Sequence, residues 1–258
     1  MIEFANNKTM PLVRQMWKAC FGDTEEYMDL YFSRVYKHQN TLICFEDGVA
    51  VASLQMHPYN IRFYNEDVPF YYLVGLCTLP EYRNMGYMHH LIETSHYVMQ
   101  ERGIPLSILV PAEDWLFGYY AKFGYEQVFE KSDTPIPSLK SLLKLSKCID
   151  SAYEIFEKEY QQHNLCVQKN LFDFETIIME YELDGCPDKY NLAAMARVTD
   201  AEYLIERYPF AKDQNGDLRR LDIRLLCRLL FGYKTSELGS PYCSLYPEQH
   251  PVINLMLE

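Results

Sequence analysis

The sequence predicts a mixed α/β (α+β) fold: a meander of strands, a strand–turn–helix–strand unit, and a smaller α+β part behind it. Three observations carry this. Strand-like stretches over Thr41–Glu46 and Val49–His57 flank Asp47-Gly48, the pattern of a hairpin. A continuous apolar run, Leu73–Leu79, is followed by a turn ending at Gly86 and by an amphipathic segment, Tyr87–Arg102. A second apolar run, Leu106–Val110, lies just past the stop signals Gly103 and Pro105.

Taken in order, Asn7-Lys8-Thr9 and Pro11 open a helix whose apolar face includes Leu12, Met16 and Trp17 and which ends near Gly22. Asp23 or Thr24 caps a second helix with Glu25 and Glu26 in its first turn, burying Met28, Leu30, Tyr31, Phe32 and Val35. After the first hairpin, Ile61–Tyr64 and Val68–Leu73 flank the polar Asn65-Glu66-Asp67, a second hairpin leading into the apolar run. Trp115–Lys122 is a short aromatic helix ending at Phe123-Gly124-Tyr125. Beyond Glu130 the character changes. Residues 131–138 read as a linker, Ser151–His163 and Phe172–Leu183 as helices, Leu192–Val198 as a strand. Asp200 caps a helix over Ala201–Tyr208, Asp213–Gly216 is a turn, Leu218–Phe231 is an amphipathic helix, and Pro241–Glu258 is an irregular tail ending in an apolar run.

The chain has 258 residues, enough for one and a half to two domains, with 48% hydrophobic residues and 22 tyrosines to fill a core. A net charge of −12 argues against nucleic acid, whose phosphates need a basic face. It permits a cationic substrate, although many acidic proteins are simply soluble ones. The eight cysteines lack C-x-x-C spacing and form no ligand pattern with the seven histidines, so free thiols in a reducing cytoplasm and no metal are expected. No apolar run approaches membrane-spanning length and no signal peptide is evident, so no membrane partner is expected.

The turn carries the chemistry. A glycine turn opening a helix aims backbone N–H groups at one point, where the helix N-terminus adds partial positive charge, a nest for phosphate or pyrophosphate. Gly86 lets the backbone come close, and Arg83 adds a charge-assisted contact. Alone, an Arg-x-x-Gly turn is more often structural; this one is neither a Walker loop nor a dinucleotide fingerprint.

The run Leu76-Cys77-Thr78-Leu79-Pro80-Glu81-Tyr82-Arg83-Asn84-Met85-Gly86-Tyr87-Met88 resembles the acetyl-coenzyme A motif of the GNAT N-acetyltransferases, Arg/Gln-x-x-Gly-x-Gly/Ala between a strand and a helix. Tyr119-Tyr120-Ala121-Lys122-Phe123-Gly124-Tyr125 resembles the superfamily's Tyr-x-x-x-Gly-Phe/Tyr ending. Met88 stands where most members have Gly or Ala, a departure shared with the subgroup named for enhanced intracellular survival (Eis). The resemblance covers about residues 1–135 and implies a GNAT acyltransferase domain there, with residues 136–258 a shortened second GNAT-like or sterol-carrier-like region whose tail returns to the active site. Arg197-Val198-Thr199-Asp200-Ala201-Glu202-Tyr203-Leu204 and the helix after Leu221 resemble pieces of that region.

The implied activity moves an acetyl group from acetyl-CoA to a primary amine, a small cationic one such as an aminoglycoside or polyamine, with no covalent enzyme intermediate. Leu76, Cys77 and Thr78 are expected to pair with the pantetheine arm, and Arg83, Asn84, Met85, Gly86, Tyr87, Met88 and His89 to hold the pyrophosphate. Tyr120 is the expected general acid, since a phenol with a pKa near 10 suits donation to a thiolate of about similar basicity. The resemblance makes the C-terminal carboxylate of Glu258 a candidate base. Asp23 and Glu26 are candidates to attract the amine, although capping and a solvated face account for each as well. His57, His89, His90 and His96 are read as structural. The resemblance also implies self-association. Two other readings stay open: a catalytically degenerate acyl-CoA or lipid binding protein, and a peptide or protein N-acetyltransferase.

Overall fold

The computed structural model describes residues 1–133, 139–210 and 218–256. Asp47 and Gly48 both adopt positive φ, 48° and 81°, the backbone twist that suits a two-residue hairpin. They fold β2 (Thr41–Glu46) back onto β3 (Val49–Phe63). The two shorter strands read from the sequence on either side of Pro58 are one 15-residue strand. Tyr64, at φ 57°, and Asn65 then turn the chain into β4 (Glu66–Thr78), which joins the return arm of the second hairpin to the apolar run without a break. A three-residue strand at the N-terminus, β1 (Ile2–Phe4), pairs with β2 and is too short to show as a pattern.

The sheet runs β1-β2-β3-β4-β5-β8-β6, with β7 (Val167–Gln168) on the outer part of β3. β5 (Leu106–Leu109) is parallel to β4. β8 (Ala194–Val198) fits antiparallel between β5 and β6 (Glu126–Phe129). The boundary expected at residue 135 therefore does not divide the sheet. Arg197–Leu204, which resembles part of a separate C-terminal region, instead supplies the end of β8 and the start of a helix beside it. The reason is hydrophobic: Ala194, Ala196 and Val198 face one core and Met195 the other, a strand with apolar partners on both sides.

On one face lie α1 (Met10–Phe21) and α2 (Glu25–Arg34), packing Trp17, Met28 and Tyr31 against Tyr59, Phe70 and Tyr72. Thr24 caps α2 by accepting from the Tyr27 N–H. Leu12, expected inside, is exposed and Val13 is buried in its place, while Leu30, Phe32 and Val35 are only half-buried. On the other face α3 (Tyr87–Glu101) and α4 (Asp114–Ala121) cover Leu54, Met56 and Leu73 with Leu91, Ile92, Met99 and Tyr120. A satellite core is built by α5 (Leu139–Leu145), α6 (Ile149–Tyr160) and α7 (Leu171–Leu183), tied to α2 by Arg34, which bonds Thr176 Oγ1 at 2.8 Å and Glu175 at 3.0 Å. α8 (Ala201–Arg207), α9 (Ile223–Leu230) and α10 (Tyr242–Leu245) complete the chain; α9 is shorter than its amphipathic pattern. The tail is not free: Val252 bridges to Cys166, and Ile253, Leu255 and Met256 are buried. The turn expected at Asp213–Gly216 and most of the expected linker lie outside the described residues.

Candidate functional site

β4 and β5 part company in mid-sheet. Their pairing runs from Phe70↔Leu106 to Tyr72↔Ile108, and β4 then continues through Thr78 with its β5 side unpaired. Gly75 lies in that unpaired stretch of β4. It has φ 60°, sits at a register shift against β3, and gives the space of a Cβ to the Trp17 ring and the Gln55 amide. A side chain there would collide with Trp17, which is itself held by Tyr31 at 4.5 Å between rings and by Asp23, whose carboxylate accepts from Nε1 at 2.6 Å. The backbone of Leu76, Cys77 and Thr78 lies on the part of β4 beyond its pairing with β5.

The turn follows just after this stretch. Asn84 at φ 63° and Gly86 at φ 88° bend the chain into α3. Gly86 caps the helix without a side chain, and the first turn carries no acidic residue, so its N–H groups present an uncompensated positive end. A Cβ at Gly86 would meet nothing within 4 Å, so glycine is needed there for its φ and for open space above the helix end. Asn84 and Met85 are exposed, and Tyr87 and Met88 half-buried. Arg83 folds back through Nε to the Thr78 carbonyl at 3.2 Å, bridging turn and strand. His89 points toward α4, pairing with Glu93 at 3.3 Å and packing on the Phe123 ring at 4.8 Å between centroids.

α4 carries Tyr120, buried among Tyr119 and Tyr125 in the core that Leu76 of β4 packs against. Burial, with a smaller contribution from Tyr119, pushes its phenol well above the ordinary tyrosine range, so it holds its proton at any physiological pH. Tyr125, by contrast, is knitted into the core by Ser107 Oγ at 2.7 Å and His96 Nε2 at 3.1 Å. Burial holds the His96 imidazole neutral, pushed down to about 3.

On the α1–α2 face, the expected acidic cluster is largely satisfied. Arg14 bridges Glu25 and Asp29 at 2.8 Å each, Lys18 reaches Glu25 at 3.3 Å, and Asp23 holds Trp17, while Glu26 is exposed. Beneath it lies a buried polar group that the sequence did not announce: Tyr31 Oη contacts His57 Nε2 at 3.1 Å and donates to Gln55 Oε1 at 3.3 Å. Gln55 Nε2 is buried without a partner beside Gly75. Only the burial of two polar residues on alternate positions of a strand could have hinted at it. Glu258 lies outside the described residues. Among the described residues no group of His, Cys, Asp and Glu is placed to hold a metal, and no helix is long and apolar enough to cross a membrane.

The unpaired stretch of β4, a helix end capped by Gly86 without a side chain just after it, and a buried tyrosine on α4 agree with what the sequence comparison adds. Residues 2–128 match the family described as acetyltransferase (GNAT) domain. The match covers just under half of the chain. Solved structures share its fold. A protein of Enterococcus faecalis V583 described as a probable N-acyltransferase aligns with TM-score 0.62 and 13% identity, over 81% of this chain and 75% of that one. Eis1 of Mycobacterium abscessus aligns with TM-score 0.56 and 14% identity, over 74% and 53%. A GCN5-related N-acetyltransferase of Anabaena variabilis aligns with TM-score 0.53 and 16% identity, over 75% and 51%. At these identities the likeness is one of fold, and the chain spans about half the length of the last two. No curated protein matches the sequence. The sheet extends past the matched residues, because β8 comes from 194–198.

Proposed function

We propose that the GNAT domain binds acetyl-CoA and transfers its acetyl group directly to a primary amine. The observation that carries this reading is the β4–β5 opening with the Gly86-capped end of α3 at its mouth. The pyrophosphate would meet the first-turn N–H groups of α3, and the pantetheine arm the free edge of β4 at Leu76–Thr78. The thioester is already activated, so the protein has to position it, polarise its carbonyl and protonate the departing thiolate. Tyr120 supports the last role: its phenol keeps a proton to give, and it lies on α4 in the core that Leu76 of β4 packs against. The fold likeness to Eis1 and the apolar Met88 favour the Eis-like subgroup, in which case a small cationic amine is the acceptor.

Calorimetric titration with acetyl-CoA, with desulfo-CoA and ATP as controls, tests the reading, followed by an assay of free CoA release over a panel of amines. Saturable binding that weakens on Arg83→Ala, with turnover on polyamines or aminoglycosides, supports it. A folded protein without affinity for acetyl-CoA sinks it. Turnover on peptides but not on small amines would replace the acceptor class with a peptide or protein amine.

A further inference from the structure

Two thiols that the proposed reaction does not use stand beside the turn. Cys20, one residue from the end of α1, donates to the Thr78 carbonyl at 3.4 Å. Cys77, the preceding residue on β4, meets Ser53 Oγ at 3.2 Å. The two sulfurs neighbour each other, and the Arg83 guanidinium flanks Cys20. Their exposure differs: Cys77 is 2% exposed, whereas Cys20 is half-buried. A reagent arriving from solvent therefore meets Cys20 first. The Cys77 thiol and Arg83 favour the thiolate of Cys20 and hold its pKa below the ordinary range, while the neighbouring Cys20 and burial keep Cys77 protonated. One accessible sulfur beside a cation, backed by a second sulfur it can reach, is the arrangement of an attacking and a resolving cysteine.

We propose that Cys20 is a site of thiol–disulfide exchange with low-molecular-weight disulfides, and that Cys77 resolves the adduct into a Cys20–Cys77 disulfide joining α1 to β4. The Cys20 thiolate attacks one sulfur of R–S–S–R, forming Cys20–S–S–R and expelling RS⁻. The Cys77 sulfur, giving up its proton, attacks the Cys20 sulfur and expels the second RS⁻. The two cysteine protons end on the two thiolates, so one R–S–S–R is reduced to two RSH while the cysteine pair is oxidised. The exchange does not depend on which ligand the turn holds.

The test uses glutathione disulfide on the full chain carrying Cys148→Ser and Cys243→Ser, because those two cysteines are exposed and would compete. After alkylation of remaining thiols, peptide mapping by mass spectrometry reads each sulfur. The expected result is a Cys20–Cys77 linked peptide, and in a Cys77→Ser variant a glutathione retained on Cys20. Because Cys77 is buried, a second arm uses Cys20→Ser at the half-buried position, where Cys77 is expected to stay a free thiol. Cys20 found alkylated while Cys186 or another cysteine carries the glutathione overturns the proposal. So does glutathione retained on Cys20 with Cys77 free, or glutathione on Cys77 in the Cys20→Ser chain.

Discussion

The guanidinium of Arg197 occupies the volume that a Cβ on Gly124 would need. Arg197 lies on β8 and also donates to the Phe123 carbonyl, so the strand completing the sheet clamps the link between α4 and β6. Gly124 itself has φ 81°. Gly124→Ala then meets both a left-handed backbone and a filled space, and a loss of roughly 1–3 kcal/mol is expected from the backbone alone. Thermal unfolding of Gly124→Ala, Arg197→Ala and the double variant separates the two effects. Removing Arg197 relieves the clash but not the backbone, so the double variant should recover part of the loss. Strictly additive losses would show that the guanidinium does not clamp Gly124.

Gly86 and Arg83 make a second pair with separable effects. Gly86→Ala meets no atom within 4 Å but is forced into φ 88°. It should lower stability by about 1–3 kcal/mol and also weaken acetyl-CoA, because its methyl group stands over the helix end. Arg83→Ala should leave stability nearly unchanged, since the residue is exposed, and weaken acetyl-CoA by about tenfold, near 1.4 kcal/mol. Calorimetry beside thermal unfolding reads both. An Arg83→Ala chain that binds as tightly as the parent would confine that side chain to bridging Thr78.

The sequence made the hairpin at Asp47-Gly48, the apolar run of β4, the turn and the α3 helix legible, because each is written in contiguous residues with local punctuation. The short aromatic helix that carries Tyr120 was legible for the same reason. What stayed hidden is non-local. Nothing in residues 194–198 says that they slide between β5 and β6, since an apolar strand fits any core that offers two faces. The Tyr31–His57–Gln55 group joins a helix to a strand through buried polar atoms, and neither segment shows a pattern for it. The same holds for Cys20 and Cys77, which read as scattered thiols until α1 is laid on β4.

Tyr120→Phe keeps the ring and removes the proton, so turnover should fall by roughly a hundredfold or more, the usual worth of a positioned acid, with acetyl-CoA affinity unchanged. The parent chain adds a pH signature. Burial raises the Tyr120 pKa, so its phenol stays protonated through the ordinary tyrosine range, and turnover should not decline across pH 10 on account of this group. Rates measured up to about that pH, within the range where the fold persists, read this directly. Undiminished turnover in Tyr120→Phe would remove the residue from the chemistry.

His57 and His96 are held neutral, each pushed down to about 3 by burial. In the unfolded chain both take up protons near pH 6.5, so as pH falls the unfolded state binds more protons and stability drops. The stability is complete above about pH 6.5 and is lost progressively toward pH 3. By pH 5 each histidine should account for about 2 kcal/mol of loss. Urea unfolding at pH 7.5 and pH 5 measures the total, and His57→Gln should flatten the dependence by about half. A variant as acid-sensitive as the parent would mean that carboxylates elsewhere govern the loss.

A disulfide between Cys20 and Cys77 would change the place where the proposed ligand lies. Cys77 is one of the three β4 residues bordering the opening, and the Cys20 hydrogen bond to Thr78 shares its acceptor with Arg83. Closing an S–S bond draws the end of α1 against β4, removes the hydrogen bond that Cys20 donates to the Thr78 carbonyl, and shifts that carbonyl, which orients Arg83. Acetyl-CoA affinity should therefore fall by at least about fivefold on oxidation and return on reduction with dithiothreitol, near 1 kcal/mol. Calorimetry on the oxidised and re-reduced chain compares them, with the Cys20→Ser chain as the insensitive control. Equal affinity in both states would show that the link forms without reaching the opening. A reduced chain that does not bind acetyl-CoA would instead remove the ligand reading, leaving the cysteine chemistry to stand on its peptide map.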